Sequence, residues 1–596
     1  MNKRKSLIFT CVLLGVIAMA GLSACSDDHY EIDGTLAGKG TVWQNISTRP
    51  ELSEFADILS AVHYSTSETA VTNQTYADLL NHDQTFTVWA PKNGSFNYPE
   101  WKAMLQSGDR EQIYKVEFQL VRNCMTRYSH VLTGDKVEDV MLFNRKNGNF
   151  NCPEMTINET SITTANIGAT NGVLHITDGN IEFLPNIYEY LASKPELSKL
   201  NDFIKKYEEI EFDEYGSTQG PTIDGNITWV DSVTNLTNTY FNYLNAYINR
   251  EDSTYMMVMP TNECWDKEYE RMKSYFNYIP QYIQKVITVN PSDLSTSEET
   301  FTTTYTDVEL DSINDFRTCD AIARNLCFNE KWQFGHNHLD MVKEGACDSI
   351  ESTSRTVFYD PYSAAIFNNV EPVRLSNGYG YVVDKYNYRL QDTWLEEKRF
   401  EAERTVESYD YCNTSPTRIY IANPWSYLPA EQREGINITD TVIELNALTL
   451  EPTRSTANTS ALFKAPNTLS CKYDIVAVMV YNVSMQLPYQ FRAYVNYHEG
   501  GSKATQTRTQ LKPEDGVNGS GNYFQTKPPH VDEKGMLQFN DSVVLAKDFQ
   551  FPVSYYGMDD AYVTVEIQSY MTSTQRSQFT NELIIDKIIF IPKENE

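Results

Sequence analysis

The segment "RPELSEFADIL" (Arg49–Leu59) recurs as "KPELSKLNDFI" (Lys194–Ile204), with five of eleven positions identical. In both copies the apolar residues follow the i, i+3, i+4, i+7 spacing of an amphipathic helix, and a proline stands near the start, where its missing N–H costs the helix least. The stripe of the two copies comprises Leu52, Phe55, Ile58, Leu59 and Val62, and Leu197, Leu200, Phe203, Ile204 and Tyr207. Each copy therefore predicts a helix that packs on a core.

Later segments of the two copies recur in the same order. "TFTVWAPKNGSFN" (Thr85–Asn97) and "YMMVMPTNECWDK" (Tyr255–Lys267) each predict a short strand that stops at a proline and is followed by a helix start. "LVRNCM" is repeated as "IARNLC", and "ATNGVLHITDG" as "LSNGYGYVVDK". In the last pair Asn-Gly predicts a turn with positive φ before a strand. Four segments in one order indicate an internal duplication.

The first copy's "TVWAPKNGSF" and "NGVLHITDGNIEFLP" resemble the two hallmark segments of the fasciclin-like domain family. The resemblance implies two compact α+β domains, at residues 41–192 and 195–393, and a role in adhesion or extracellular ligand contact. The family usually carries an Asn-His pair between these segments. Here the pair reads Asn123-Cys124 and Asn325-Leu326, so roles tied to that histidine are not transferred.

The second copy is longer than the first because of an insertion near residues 266–315. This insertion includes the Ser/Thr-rich tract "STSEETFTTTYTD" (Ser295–Asp307). Long polar tracts between regular elements are typical of surface loops, so we predict a mobile loop here.

From about Phe400 the sequence becomes β-rich, with alternating segments such as "YDIVAVMVYN" and "AYVTVEIQSYM" between turn-forming residues. We predict an all-β, jelly-roll-like sandwich over residues 400–596. Its closing segment, with Asp586 inside an apolar run, resembles the last strand of jelly-roll carbohydrate-binding modules. Aromatic rings in loops commonly stack on sugars, so Trp425, Tyr427 and Tyr523 are candidate ligand contacts. The alternative is that these rings pack on the edge of the sandwich.

The first residues carry an export signal. Three basic residues precede an apolar run that ends in Leu22-Ser23-Ala24-Cys25, which resembles the lipobox of bacterial lipoproteins. The resemblance implies a signal peptide at 1–24, a lipid anchor on Cys25 and a tether over 25–40. Acidic residues just after Cys25 resemble a surface-export tag, so we expect a chain anchored in the outer membrane and facing outward. A soluble secreted protein with a chance cysteine is the alternative.

The net charge of −31 repels nucleic acid and anionic lipid, so nucleic-acid binding is not expected. Eight cysteines remain after Cys11 and Cys25, with an even number in each proposed domain. Even numbers in an exported chain suit disulfides, and Cys412 with Cys471 is the pair that we predict; free buried thiols explain the numbers equally well.

No hydrolase, nucleotide or zinc motif is present, so we expect a protein that is not an enzyme and has no cofactor. "GHNHLD" places His336, His338 and Asp340 on one face of any strand, which makes them weak candidates for metal ligands. A loop of hydrogen-bonding residues is the alternative, and no metal site is predicted.

Fasciclin-like lipoproteins of this layout resemble accessory components of starch-utilisation-type uptake systems. That resemblance implies ligand capture or scaffolding beside a TonB-dependent transporter and its lid lipoprotein, with a glycan or peptide as the nutrient. An adhesin that contacts host matrix or other cells is the second hypothesis. A hydrolase whose site carries no recognisable motif is the third.

Overall fold

The chain divides into two compact units. The first comprises residues up to Tyr190 with Ile248–Thr254 and Arg374–Gly378, and the second comprises the remainder. The computed structural model describes residues 38–66, 70–223, 226–289, 296–330, 349–361, 364–412, 417–422, 446–454, 458–481, 487–514, 519–528, 530–531, 533, 537–538 and 540–595. Within these ranges no helix is both long and apolar enough to cross a membrane.

The first unit is built on a seven-stranded sheet. In spatial order its strands are Met125–Arg127, Phe86–Pro91, Gly172–Thr177, Thr160–Ala169, Thr156–Ile157, Asn147–Asn151 and Val137–Met141. The hairpin His63–Ser65 with Val71–Thr75 stands apart from it. The helices are Val42–Ser47, Pro50–Leu52, Ser53–Ala61, Tyr76–Leu79, Tyr98–Gln106, Arg110–Val116, Glu117–Val121, Arg122–Cys124 and Ile187–Ser193, which continues into the second unit.

The central strands Phe86–Pro91 and Gly172–Thr177 run parallel, and every one of their residues is buried. Parallel strands are normally covered on both faces, which explains why neither segment alternates between apolar and polar residues. The predicted helical stripe of the first copy is buried from Leu52 to Val62, so that prediction is confirmed. Burial of this stripe is what joins the helix to the core.

One asparagine side chain holds the start of each repeated helix. In the first copy Asn93 Nδ2 donates to the carbonyl of Pro50 (2.8 Å) and to Ser53 Oγ (2.9 Å), and its Oδ1 accepts from the backbone N–H of Glu54 (3.0 Å). The Glu54 N–H is one of the donors that the first turn of a helix leaves without an intrahelical partner. The asparagine therefore ties the strand–helix segment to the quoted helix.

The second copy repeats this arrangement with Asn262. Its Nδ2 donates to the carbonyl of Pro195 (2.9 Å) and to Ser198 Oγ (3.0 Å), and its Oδ1 accepts from the N–H of Lys199 (2.9 Å). The duplication that the sequence indicates thus extends to individual hydrogen bonds. In the second helical stripe Leu197, Leu200, Phe203 and Ile204 are buried, whereas Tyr207 is only partly buried.

The Asn-Gly pair of the first copy makes a backbone clamp. Asn171 Oδ1 accepts from the N–H of Val42 (2.7 Å), and its Nδ2 donates to the carbonyls of Leu80 (2.9 Å) and His82 (2.6 Å). Gly172 has a φ of +144°, and a β-carbon there would lie 1.8 Å from the carbonyl oxygen of Phe86. The predicted turn with positive φ is confirmed, and its glycine is required for the close approach of the two strands.

Asn377 makes the same clamp in the second Asn-Gly pair. Its Oδ1 accepts from the N–H of Ile187 (2.9 Å), and its Nδ2 donates to the carbonyls of Ile248 (2.8 Å) and Arg250 (2.9 Å). Gly378 follows with a φ of +133°. Each clamp therefore connects the residue before a buried strand to two distant segments of backbone.

The N-terminal part of the second unit carries the second copy. Its helices are Pro195–Leu197, Ser198–Lys205, Tyr240–Leu244, Asn262–Lys273, Asp307–Ala323 and Leu390–Asp392. A four-stranded sheet has the order Cys327–Asn329, Tyr255–Pro260, Gly378–Val383 and Val373–Leu375. Three further antiparallel pairs are Glu208–Ile223 with Asn226–Asn238, Gln281–Val289 with Thr296–Thr304, and Ser349–Glu351 with Val357–Tyr359.

The Ser/Thr-rich tract of the insertion forms a strand, so the prediction of a mobile loop was wrong. Thr296–Thr304 pairs in continuous antiparallel register with Gln281–Val289. Threonine is β-branched and favours extended backbone, so a run of threonines beside an apolar partner strand is a good strand former. The polar composition of the tract had suggested a loop because composition alone does not show the partner strand.

Two sheets form the C-terminal sandwich, as predicted from the alternating segments. The first has the order Thr417–Ala422, Ala447–Pro452, Leu583–Pro592, Lys472–Val480 and Asn540–Gln550, and Lys398–Glu401 also pairs with Leu583–Pro592. The second has the order Val406–Cys412, Asn458–Ala465, Val563–Ser569, Gln490–Tyr497, Tyr523–Gln525 and Gly519–Ser520, and Thr507–Gln510 also pairs with Gln490–Tyr497. A short helix, Ala402–Thr405, and the pair His530–Val531 with Leu537–Gln538 complete the sandwich.

The predicted disulfide between Cys412 and Cys471 is not formed, because Cys471 is a free, buried thiol. Cys412 pairs in register with Asn458, at one end of a strand that spans roughly 23 Å to Ala465 at about 3.3 Å per residue. The chain turns after Ala465 and reaches Cys471 just before the next strand. Bridged cysteines need Cα atoms about 4.4 to 6.8 Å apart. Cys124, Cys152, Cys264, Cys319 and Cys327 are also free and buried.

Asp586 is a carboxylate inside the sandwich core. It is fully buried, and among the described residues neither of its oxygens has a hydrogen-bond partner, although Lys587 Nζ lies 3.3 Å from one of them. Burial raises the pKa of Asp586 to about 7. The folded state therefore favours the protonated form of this group.

We expect Asn171→Ala to lower the free energy of unfolding by about 2 to 4 kcal/mol, because three hydrogen bonds are lost in one step and the Val42 N–H and the His82 carbonyl lose their partner. Chemical denaturation of the full chain, followed by tryptophan fluorescence, measures the change. Asn73→Ala, an exposed position in the same unit, is the control and should change stability by less than about 0.5 kcal/mol. Equal effects of the two substitutions would contradict the clamp.

Asp586→Asn should stabilise the protein increasingly as pH rises. The folded pKa lies above the ordinary value of 3.8, so the folded state binds more protons and the free energy of unfolding falls between about pH 4 and pH 7. Replacing the carboxyl removes this loss, with a gain of up to about 4 kcal/mol above pH 7. Denaturant midpoints at pH 5 and pH 8 measure the gain. The exposed Asp559→Asn should show no such pH dependence, and a pH-independent effect of Asp586→Asn would disprove the account.

Candidate ligand-binding site

Two neighbouring strands of the second sandwich sheet, Gln490–Tyr497 and Val563–Ser569, alternate between buried apolar and outward-facing polar residues. On Gln490–Tyr497, Phe491, Ala493 and Val495 are buried in the core. The intervening positions therefore point to the opposite side of the sheet. We call this surface the tyrosine–arginine face, and it is defined by Arg492, Tyr494, Arg508, Tyr523, Glu566 and Tyr570.

A stack of three side chains forms one half of the face. The rings of Tyr523 and Tyr570 lie parallel within 15°, with centroids 4.9 Å apart. The Arg492 guanidinium lies 3.9 Å from the Tyr570 centroid, and its Nη2 donates to Tyr523 Oη at 3.2 Å. This hydrogen bond holds the pKa of Tyr523 below its usual value. Planar groups that stack in this way lose little rotamer freedom when a ligand binds.

A second arginine is fixed in the other half. Arg508 donates from Nε and Nη2 to the two carboxylate oxygens of Glu566, at 2.9 and 3.0 Å. Its guanidinium carbon lies 3.4 Å from the ring centroid of Tyr494. Two-point pairing with a carboxylate and stacking on a ring both restrict an arginine to one orientation. The outer edges of Arg508 and Glu566 therefore present ordered donors and acceptors.

Amide side chains continue the face along the sheet. Gln525 Nε2 donates to Gln490 Oε1 at 2.8 Å, and Gln490 Nε2 donates to the carbonyl of Tyr570 at 3.0 Å and to Gln575 Oε1 at 3.3 Å. Each amide carries more donors and acceptors than one bond uses. Gln490 is buried, so the half-buried Gln525 and Gln575 are the amides of this row that can hydrogen-bond a ligand.

Half-buried rings beside ordered planar polar groups make this face a candidate binding surface. Sugars have apolar C–H faces that stack on rings and hydroxyl edges that pair with amides, carboxylates and guanidinium groups. None of the six defining residues brings a nucleophile together with a general base. Among the side chains that the structure describes, no group of three or more His, Cys, Asp or Glu is placed to hold a metal ion.

Of the candidates taken from the sequence, Tyr523 lies on this face. Trp425, Tyr427, Cys25 and the GHNHLD segment with His336, His338 and Asp340 lie outside the described residues. The structure therefore brings one predicted ligand contact into a site and leaves the other two ring candidates as predictions.

The residues that sequence reasoning missed are Arg492, Tyr494, Arg508, Glu566 and Tyr570. For all of these except Arg508, the signal was present in "FRAYVNY" and "VTVEIQSY", where polar and aromatic residues occupy every second position of apolar strands. Alternation predicts that such residues face away from the core. It does not predict that two strands distant in sequence become neighbours, as Arg492 and Gln568 do in the register of this sheet.

Comparison with known proteins identifies the fold of the first copy. Residues 62–182 match the fasciclin domain model. This fasciclin domain contains the parallel central strands and Asn171 with its partners Leu80 and His82. It also contains the whole of "TVWAPKNGSF" and all but the last three residues of "NGVLHITDGNIEFLP". No curated protein matches the sequence.

Three solved structures align with parts of the chain. A FAS1 domain pair from the insect cell adhesion molecule fasciclin I is 11% identical, covers 59% of this chain and 97% of its own, and has a TM-score of 0.18. A family 11 carbohydrate-binding module of a Clostridium thermocellum cellulosomal cellulase is 10% identical over 34% of this chain and 97% of its own, with a TM-score of 0.18. The CBM22-1–GH10 modules of a Clostridium thermocellum xylanase are 11% identical over 33% of this chain, with a TM-score of 0.19, and this chain spans 29% of their length. A TM-score below 0.5 does not establish a shared fold, so the ligands of these proteins are not assigned to this chain.

Proposed function

We propose that this chain is an exported, lipid-anchored protein that binds a glycan through the tyrosine–arginine face and has no catalytic activity. The observation that carries the proposal is the ordered stack of Arg492, Tyr523 and Tyr570 on the outer side of the sandwich. A ligand with an apolar face and a hydroxyl edge matches the rings and the amide row beside them. Cys25 carries the anchor in this proposal.

The domain architecture of the proposal is two fasciclin repeats followed by the sandwich. Residues 62–182 are the fasciclin domain, and the second copy is proposed as its duplicate. Support comes from the recurrence of the asparagine contacts. Asn93 and Asn262 make one matching set of three hydrogen bonds, and Asn171 and Asn377 make another. Independent sequences would not place four such amides in corresponding positions by helix and strand propensity alone.

In the cell we place the protein at the outer surface of the outer membrane. There it acts as an accessory that captures or supports capture of a nutrient glycan for a TonB-dependent transporter and its lid lipoprotein. Support comes from the lipobox-like Leu22-Ser23-Ala24-Cys25 and from the acidic residues after it. Two or more acyl chains at one cysteine make an anchor that does not dissociate, which suits a fixed position beside a transporter.

Tyr570→Ala and Tyr523→Ala should each weaken glycan binding by about tenfold, the equivalent of about 1.4 kcal/mol, because each removes one ring of the stack. A glycan array probed with the tagged mature chain identifies the ligand, and calorimetry with that glycan measures the affinities. Tyr359→Ala is the matched control, because this tyrosine is 71% exposed and lies off the face. No glycan bound by the wild-type chain, or equal binding by all variants, would refute a glycan site here.

A mild-detergent pull-down from outer membranes tests the uptake role separately. We expect the tagged chain to recover a TonB-dependent transporter and its lid lipoprotein, and Cys25→Ala to lose both, because the anchor keeps the chain beside them. Recovery of this chain alone from intact outer membranes would reject the accessory role but not glycan binding.

The fasciclin domain supports a second candidate, adhesion to host matrix or other cells, since the family is best known for extracellular contacts. Adhesion requires that intact cells carrying the anchored chain bind matrix proteins without any transporter. A cell-binding assay with and without Cys25→Ala distinguishes it from nutrient capture.

A further inference from the structure

Each half of the duplication brings an arginine, a carboxylate and a tyrosine together. In the first copy Arg122 Nη2 lies 2.5 Å from Glu117 Oε1, and Tyr76 Oη donates to the same oxygen at 2.9 Å. Glu117 is fully buried, and the Arg122 side chain is only 13% exposed. Buried charges need such pairing to offset the loss of hydration.

The first cluster is closed by Ser65. Its N–H and Oγ donate to the two oxygens of Glu117 at 2.8 and 2.6 Å, and its carbonyl accepts from Arg122. Arg110 covers the remaining side, donating to Ser65 Oγ at 2.6 Å. Every oxygen of this carboxylate therefore has a protein donor.

The second cluster has the same three groups but is open. Asp320 Oδ1 accepts from Tyr240 Oη at 3.0 Å, and Asp320 Oδ2 lies 2.5 Å from Arg324 Nη2. Arg324 occupies the position that corresponds to Arg122 in the repeated Arg-Asn pair. Its side chain is 33% exposed and lines a cavity of about 150 Å³ within the second unit. A cavity of this volume can hold a ring of six atoms, which is the size of a monosaccharide ring.

Arg317 is a second cation of this cavity, and it lies on the same helix face as Asp320 and Arg324. Among the described residues no carboxylate lies within ion-pair distance of Arg317, whereas Arg324 is neutralised by Asp320. The Arg317 guanidinium lies over the ring of Tyr556, 5.6 Å from its centroid. Gly557, with a φ of +71°, has no β-carbon, and one there would lie 2.0 Å from Arg317 Nη2. The guanidinium thus occupies its place only because this residue is glycine.

The remaining walls combine aromatic and polar groups. Phe276 and Trp394 form an aromatic wall with Tyr556, with Phe276 at 5.2 Å from Trp394 and 5.7 Å from Tyr556 between ring centroids. Ser354 and Thr356, in the connection between the strands Ser349–Glu351 and Val357–Tyr359, also line the cavity. The exposed Glu396 lines it as well. A ligand that fits has an anionic group for Arg317, a flat face for the rings and hydroxyls for the polar groups.

We propose that this cavity binds a carboxylate-bearing sugar of monosaccharide size, that is, a uronic acid, with its carboxylate on Arg317. The site is separate from the tyrosine–arginine face and does not depend on it. The cluster has an ion pair in both copies, and beside it the second copy has the Arg317 guanidinium, which has no carboxylate partner within the described part of the chain. Guanidinium and carboxylate groups pair at two points, which selects a planar carboxylate over a neutral hydroxymethyl group.

Isothermal titration of the full chain with glucuronate and with galacturonate tests the proposal, with glucose, galactose and acetate as comparison ligands. We expect at least one uronate to bind, and glucose, galactose and acetate to bind at least tenfold more weakly. Arg317→Gln should weaken uronate binding at least tenfold, and Arg317→Lys should weaken it less, because lysine keeps the charge but loses the two-point contact.

Arg355→Gln is the matched control, since it removes the same charge from a side chain that is 73% exposed and does not line the cavity. Tyr570→Ala should leave uronate binding unchanged, which separates this site from the glycan face. Circular dichroism and the thermal midpoint of Arg317→Gln show whether that variant folds, and Arg317→Lys provides the test if it does not. Any one of three results would overturn the proposal: no uronate binding, equal binding of a neutral sugar or acetate, or unchanged uronate binding in both Arg317 variants.

Discussion

The side-chain amide of the asparagine in each Asn-Gly pair is the interaction on which both copies of the repeat depend. One amide supplies a donor and an acceptor to three backbone groups that come from segments far apart in the chain, as Asn171 does for Val42, Leu80 and His82. Val42 begins one helix and Leu80 caps the end of another. Backbone groups at helix ends lack part of the regular pairing, and away from water they must be paired by other groups. The glycine that follows lets the buried strand approach its parallel neighbour.

The proposed binding groups are polar side chains whose donors and acceptors the fold does not fully pair. In the first copy Ser65 and Arg110 complete the pairing of Glu117, whereas in the second copy Arg317 is left without a carboxylate among the described residues. On the sandwich, the inward residues of each strand pack in the core, and outward residues such as Arg508 and Glu566 pair with one another. A duplicated scaffold can thus keep its stability in one set of residues and change ligand contacts in another.

Local structure was predictable where it depends on spacing within one segment. The helical stripe from Leu52 to Val62, the positive φ after Asn171 and the alternating sandwich strands follow from side-chain periodicity and from the conformational freedom of glycine. The strand Thr296–Thr304 was predicted as a loop, because composition does not reveal a partner strand. The Cys412–Cys471 pair was predicted from even numbers of cysteines, which carry no information on the length of the strand between them.

The sequence by itself determined the recurring segments, the β-rich C-terminal region and the type of most segments, because each rests on patterns a few residues long. Only the tertiary structure decided which distant side chains meet. The stack of Arg492 with Tyr523 and Tyr570 requires strand neighbours that are far apart in sequence, and the guanidinium of Arg317 requires a glycine 240 residues later. Such contacts follow from the strand register and the packing of the whole chain, and no single segment determines them.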